Sequence, residues 1–253
     1  MDPLLVERHR PRGAGDSPTY VLCVLRLFNS FAAVTKRILV TGASRGIGRA
    51  TVDALQAGGV HVVATSRSAM DLPGAEVYPL DHSSAESRAA FAAALPDGYL
   101  HGAVLNAGAL VNKPFRDLTE ADFAQMGQAN WSGPALLVQQ LLPKLAPGAH
   151  IVLVSSMGGY QGAAKYPGLL AYATSKMAMA GLAESLQAEL GSEGFSFNAL
   201  CLGAVQTEML AEAFPGYAAP VTPKTMGSTL AHFVLHGHET QAGQVIALAK
   251  SNP

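Results

Sequence analysis

From Lys36 onward, short runs of continuous apolar residues alternate with longer segments of helical period, and few architectures accept that pattern. The runs are RILVT, VHVVATS, AEVYPL, HGAVLN, AHIVLVSS, FSFNALCL and GQVIAL. A strand with one wet face alternates apolar and polar residues, whereas a strand that is apolar throughout is buried on both faces, as in a parallel sheet covered by helices. The segments between them include RATVDALQAG, SSAESRAAFAAAL, TEADFAQMGQAN, PALLVQQLLPKL and YATSKMAMAGLAESLQAELG, all rich in Ala and Leu and poor in helix breakers. Strand and helix in turn specify a doubly wound α/β domain built from right-handed crossovers. No internal repeat or long linker interrupts the pattern, so a single domain is expected from residue 36 to residue 253.

Composition narrows the partners. Hydrophobic residues make up 49% of the chain and charged ones 14%, which fits a compact domain with much buried surface. Seventeen basic residues against eighteen acidic ones create no overall field for nucleic acid or anionic lipid, and neither nucleic acid nor membrane is expected as a partner. Cys23 and Cys201 are too few for a disulfide framework and lie in apolar runs, so a reducing cytoplasm is expected. His232 and His236 have the i, i+4 spacing of metal ligands and His238 follows, but no neighbour completes a ligand set; a solvated face is expected, and no metal.

Residues 1–35 stand apart. A lead rich in Pro, Gly and charge runs into an apolar stretch from Tyr20 to Val34, interrupted by Arg26 and Asn29. That is short of the roughly 20 residues a membrane span needs. Three readings stay open: a non-essential or wrongly assigned extension, a helix docked on the domain, or a targeting segment, since Ser30-Phe31-Ala32 imitates a cleavage site.

Two short motifs carry chemistry. TGASRGIG, residues 41–48, follows the first strand and leads into a helix. Its glycines allow a tight turn and close backbone approach, and the free amides at the helix start suit a pyrophosphate; a plain Gly-rich turn is the alternative. AYATSK, residues 171–176, places the phenol of Tyr172 one helical turn before the amine of Lys176. That spacing serves either a surface pair or a proton-transfer device.

TGASRGIG, Asn106-Ala107-Gly108 and Tyr172-x-x-x-Lys176, in this order, resemble the classical short-chain dehydrogenase/reductase family between Lys36 and Leu248. The resemblance implies a Rossmann-type sheet of about seven parallel strands, helices on both faces, and a nicotinamide dinucleotide at the carboxyl ends of the strands. Implied cofactor contacts are Gly42, Ser44, Arg45, Gly46, Ile47 and Gly48 in the glycine loop, Asn106, Ala107 and Gly108, then Gly203, Val205 and Thr207 after the sixth strand. Asp81 matches the adenine contact, or is the N-cap of the next helix, a role Ser83 also suits. The second strand ends Ala64-Thr65-Ser66-Arg67, with no carboxylate to meet a ribose 2′-OH. Arg67, with Arg45 opposite, offers donors to a 2′-phosphate, so NADP(H) is the expected cofactor; two solvated arginines are the other reading.

The resemblance also implies the chemistry. Tyr172 is the acid/base, and the Lys176 ammonium holds the nicotinamide ribose and, together with the positive charge of the oxidised nicotinamide, favours phenolate. Ser156 hydrogen-bonds the substrate oxygen, with Ser155 as the alternative, and Asn130 holds a water linked to the lysine. Both Tyr172 and Lys176 also touch the cofactor. Two departures stand out. The fifteen residues between Ser156 and Tyr172 exceed the family's usual length, so this loop is expected to bulge over the site, with Tyr160 or Tyr166 contacting substrate. Cys201-Leu202-Gly203 lacks the family's proline, and LAEAFPGYAAPV beyond it reads as a lid. The expected function is NADP(H)-dependent interconversion of a carbonyl compound and an alcohol, the substrate a small molecule. A non-catalytic dinucleotide sensor is the alternative, and a dehydratase or epimerase a third reading. Helices starting near Pro134 and Tyr172 imply a homodimer or homotetramer.

Overall fold

The computed structural model describes residues 35–250. The extension, its apolar run and Cys23 lie outside the described residues, except for Thr35 itself. Among the described residues there are seven strands: β1 Arg37–Thr41, β2 His61–Ser66, β3 Glu76–Pro79, β4 Leu100–Leu105, β5 Leu145–Ser156, β6 Ser196–Leu202 and β7 Val245–Leu248. They form one sheet in the order β3-β2-β1-β4-β5-β6-β7, every pairing parallel. β5 starts four residues before the expected run. Its first residue, Leu145, pairs with Leu100, and the register then jumps to Gly102 with His150, so Pro147 and Gly148 bulge into solvent.

The helices are α1 Gly46–Ala57, α2 Ala85–Ala94, α3 Glu120–Gly127, α4 Gly133–Leu141, α5 Leu170–Leu190, α6 Glu208–Ala213 and α7 Pro223–His236. α3 and α4 join through one π turn, Gln128–Ser132. None of them is long and apolar enough to cross a membrane. α7 was not legible in the sequence reading. Thr222 caps it and Pro223 opens it, and its apolar stripe of Met226, Leu230, Ala231 and Val234 faces inward.

Two cores explain the continuous apolar strands. Alternate residues of one strand serve opposite layers: Leu39 and Val63 join α2, α4 and α5 on one face, and Ile38, Val40 and Val62 join α1 and α7 on the other. β1 has β2 on one side and β4 on the other, the place where chain order reverses. Crevices for ligands open there, beyond the carboxyl ends of the strands. Gly42 follows β1 and Asn106 follows β4, so the two motifs meet at that rim.

Candidate active site

The glycine loop is fitted against the segment after β4. Gly42 and Gly46 have φ of +68° and +58°, which side chains rarely adopt. A Cβ on Gly42 would lie 2.8 Å from Ala107 Cα, and one on Gly48 2.2 Å from the Gly42 carbonyl oxygen. The Asn106 side-chain amide donates to the carbonyls of Thr41 at 3.0 Å and Gly42 at 3.3 Å, and the Ala107 N–H donates to Thr41 Oγ1 at 3.1 Å. α1 has no side-chain cap and no acid in its first turn. Its first amides, from Gly46, Ile47 and Gly48, therefore remain as donors for an anion, and the loop fits a pyrophosphate. Ser44 and Arg45 are exposed at the loop's tip, and Ile47 packs against the second core.

The other nucleotide positions surround this loop. Arg67 is exposed at the end of β2 and makes no ion pair among the described residues. Arg45 is engaged: its Nη1 donates to Glu212 Oε1 at 2.9 Å. The Asp81 carboxylate accepts from the Ser83 N–H at 2.9 Å. Neither residue caps α2. Ser84 does, accepting from the Ser87 N–H, because the chain makes an Asx turn first and reaches the helix one residue later than expected. The neighbouring His82 is a buried residue the sequence reading passed over; its Nδ1 has no partner, and burial pushes its pKa down to about 4.

After β6, Gly203 is required by packing, since a Cβ there would lie 2.9 Å from Ala249 Cβ. Beyond it, Val205 forms an isolated parallel bridge with Val221. Thr207 caps α6 through the Leu210 N–H at 3.2 Å, and its Cγ2 is 3.4 Å from where a Cβ on Gly46 would be. α6 therefore lies over the phosphate loop.

The chemical residues come from β5, α5 and the π turn. Successive strand residues point to opposite faces, which separates the two serines. The buried Ser155 donates to the Lys176 carbonyl at 2.7 Å and ties α5 to the sheet. Ser156, at the strand's last position, accepts from the Gly158 N–H at 3.1 Å, and its hydroxyl stands near enough to the Tyr172 phenol to favour the ionised form. Lys176 is 4% exposed, and its Nζ donates to the Val154 carbonyl at 2.9 Å. Burial holds its pKa down at about 8, the Cys201 thiol opposing. Tyr172 is half-buried on the same helix.

The phenol's own surroundings set its titration before any cofactor charge is added. Desolvation dominates and raises its pKa, the Ser156 hydroxyl is the influence that opposes, and the ammonium is directed at a backbone carbonyl.

Asn130 is fully buried in the π turn, its Oδ1 accepting from the Ala109 N–H and its Nδ2 donating to the Ala109 carbonyl, both at 2.9 Å. The same Nδ2 donates to Ser175 Oγ at 3.0 Å, and that hydroxyl donates to the Tyr172 carbonyl at 2.7 Å. A Cβ on Gly108 would lie 2.7 Å from Asn130 Oδ1 and 3.3 Å from Lys176 Nζ. Asn130 and Lys176 thus converge on the end of the Asn106-Ala107-Gly108 segment.

A cleft of about 280 Å³ opens between this segment and α6, lined by Leu110, Asn112, Met209, Glu212 and Ala213. Neither tyrosine of the long loop lines it: Tyr160 packs against the first core and Tyr166 is exposed. Asn112, missed in the sequence reading, donates to the Ala213 carbonyl at 2.9 Å and so links the segment after β4 to the end of α6. His232 and His236 stack with rings 5.0 Å apart, far along α7, and His236 pairs with Glu239 at 3.0 Å.

The family profile described as short chain dehydrogenase matches residues 36–218. The chain belongs to the short-chain dehydrogenase family. It is similar to carbonyl reductase [NADPH] 2 of Sus scrofa, 35% identical over 68% of this chain and 73% of the relative. L-xylulose reductase of Mesocricetus auratus is 34% identical over 69% and 73%. Among solved structures, the ligand-free aldohexose dehydrogenase of Thermoplasma acidophilum superposes with a TM-score of 0.76 at 20% identity, covering 85% of this chain and 92% of its own, a likeness of fold. Short-chain dehydrogenases bind a nicotinamide dinucleotide, and these relatives make the chain an oxidoreductase of carbonyl and alcohol groups.

Proposed function

We propose that this short-chain dehydrogenase is an NADP(H)-dependent reductase of small carbonyl compounds, working reversibly on the alcohols, with Tyr172 as its acid/base. The observation that carries the reading is the convergence of Ser156, Tyr172, Lys176 and Asn130 beside a phosphate loop whose amides are uncapped. The carbonyl reductase relative, named for NADPH, supports that cofactor and a carbonyl substrate. The absence of a carboxylate at the end of β2, where Arg67 stands, supports the phosphorylated dinucleotide.

The amides of Gly46, Ile47 and Gly48 would hold the pyrophosphate, Arg67 and Arg45 the 2′-phosphate, and Asp81 the adenine. Asn106 to Gly108, Lys176, Gly203, Val205 and Thr207 would border the nicotinamide half. When bound, the reduced cofactor supplies a hydride to the carbonyl carbon. A phenol kept protonated by burial is suited to give its proton to the oxygen that gains charge, and the Ser156 hydroxyl stabilises the phenolate left behind. Lys176, with its pKa near 8, can take or give a proton close to neutral pH. Asn130 and Ser175 brace the tyrosine's backbone, and Asn112 positions the lid.

A homodimer or homotetramer is part of the proposal, through the helices around Pro134 and Tyr172, where Trp131, Leu136 and Met177 are exposed. A cytoplasmic location is proposed with it. The test is a panel of aldehydes, ketones and sugars followed by NADPH absorbance, repeated with Tyr172→Phe. Turnover is expected to fall by about 10²–10⁴ while NADPH still binds. Retained turnover in that variant refutes the role of Tyr172, and a protein that binds NADPH but consumes none with any carbonyl is a sensor.

A further inference from the structure

The lid carries charge where the cofactor's phosphates belong. Glu208 and Glu212 stand one helical turn apart on α6 and share a face. Glu208 Oε2 lies 3.5 Å from where a Cβ on Gly46 would be, over the first turn of α1. Glu212 Oε1 accepts from Arg45 Nη1 at 2.9 Å. α1 has no acid in its own first turn, so these carboxylates supply from the lid the negative charge that a helix N-terminus favours. Glu208 is also the first residue of α6 and suits that helix on its own account, which leaves its direction toward Gly46 still to be explained.

We propose that the acidic face of α6 is an internal competitor for the phosphate loop, which the dinucleotide must displace: Glu208 competes with the pyrophosphate and Glu212 with the 2′-phosphate. This rests on the cofactor reading above. One guanidinium cannot neutralise both a carboxylate and a phosphate dianion, so the two anions repel when brought to Arg45 together. The exchange is easy, because Arg45 and Glu212 are 52% and 67% exposed and a pair so wet is worth little. The competitor therefore tunes affinity without blocking it. Its strength is bounded by that of a surface ion pair, up to about fivefold in Kd. The two glutamates should also differ in signature, since the pyrophosphate is common to NADH and NADPH whereas only NADPH carries the 2′-phosphate.

The experiment is fluorescence titration of NADPH and NADH against the full chain, Glu208→Gln, Glu212→Gln, Arg45→Gln and the Arg45→Gln/Glu212→Gln pair. Glu208→Gln is expected to tighten both nucleotides by about two- to fivefold, and Glu212→Gln to tighten NADPH alone by a similar factor. In the Arg45→Gln background the gain from Glu212→Gln should vanish; a gain that persists there reflects general charge and overturns the pairwise competition. Weaker or unchanged NADPH binding in both glutamine variants, with Arg45→Gln still costing NADPH selectivity, overturns this inference alone. Arg45→Gln leaving the NADPH-to-NADH ratio unchanged overturns the cofactor role of Arg45, and the Glu212 half with it.

Discussion

Replacing Lys176 with Met should make the protein more stable while removing the group proposed to assist catalysis. The amine is buried, and its folded pKa of about 8 lies below the ordinary 10.5. A base with a depressed folded pKa contributes stability that is fully present above about pH 10.5 and is lost as pH falls through about 8. At pH 7 the burial therefore costs about 3 kcal/mol, from ~1.4 kcal/mol per pKa unit. Met removes that cost but leaves the Val154 carbonyl without its donor, a loss of about 1 kcal/mol. The net gain of about 2 kcal/mol corresponds to roughly 4–8 °C in Tm for a domain of this size. At pH 9.5 the charge costs only about 1.4 kcal/mol, so the gain should shrink to about 1 °C. Circular-dichroism melts of both proteins at pH 7 and 9.5 measure this. A variant less stable than the parent at pH 7, or a gap that does not close with pH, refutes the burial argument.

Three further outcomes follow from the geometry. Ser156→Ala should lower turnover by about 10²–10³ and, by losing the Gly158 contact, stability by up to about 1 kcal/mol, whereas Ser155→Ala should lower stability by about 1 kcal/mol through the lost Lys176 tether with turnover largely kept; kinetics and melts on both variants would expose a swapped assignment. Gly48→Ala forces a methyl against the Gly42 carbonyl and should cost about 1–3 kcal/mol together with dinucleotide binding, whereas Gly181→Ala, in open space on α5, should gain about 1 kcal/mol, both read by urea titration. His82 and His150 are buried with pKa values pushed from 6.5 down to about 4, so stability should fall by about 1.4 kcal/mol per histidine per pH unit below 6.5 and level off near 4. Urea unfolding that is flat between pH 7 and 5 would contradict it.

How much was legible beforehand depended on what each residue answers to. Strands buried on both faces announce themselves by continuous apolar runs, and the glycine loop by residues that only a positive φ or close approach explains. Tyr172 and Lys176 were readable from helical spacing. What the spacing could not carry is direction: the Lys176 ammonium finds Val154, and at the phenol burial outweighs the influence of Ser156. The shift of the α2 cap to Ser84 and the packing of Tyr160 into the core are likewise choices made by tertiary contacts. Asn112 and the acidic side of α6 act across more than ninety residues of chain, and no local pattern encodes such a meeting.

The π turn at Gln128–Ser132 holds one more residue than an α-helical turn would close over, its widened bond running from the Gly133 N–H to the Gln128 carbonyl. α3 and α4 are consequently out of phase with each other, and the phase difference is what aims Asn130 inward from between them. Deleting one residue here would heal the helix into regular winding and swing whatever lies beyond the cut by about 100°. An outwardly tidier helix would then lose its inward-facing amide, so the irregularity itself belongs to the catalytic apparatus proposed for this enzyme.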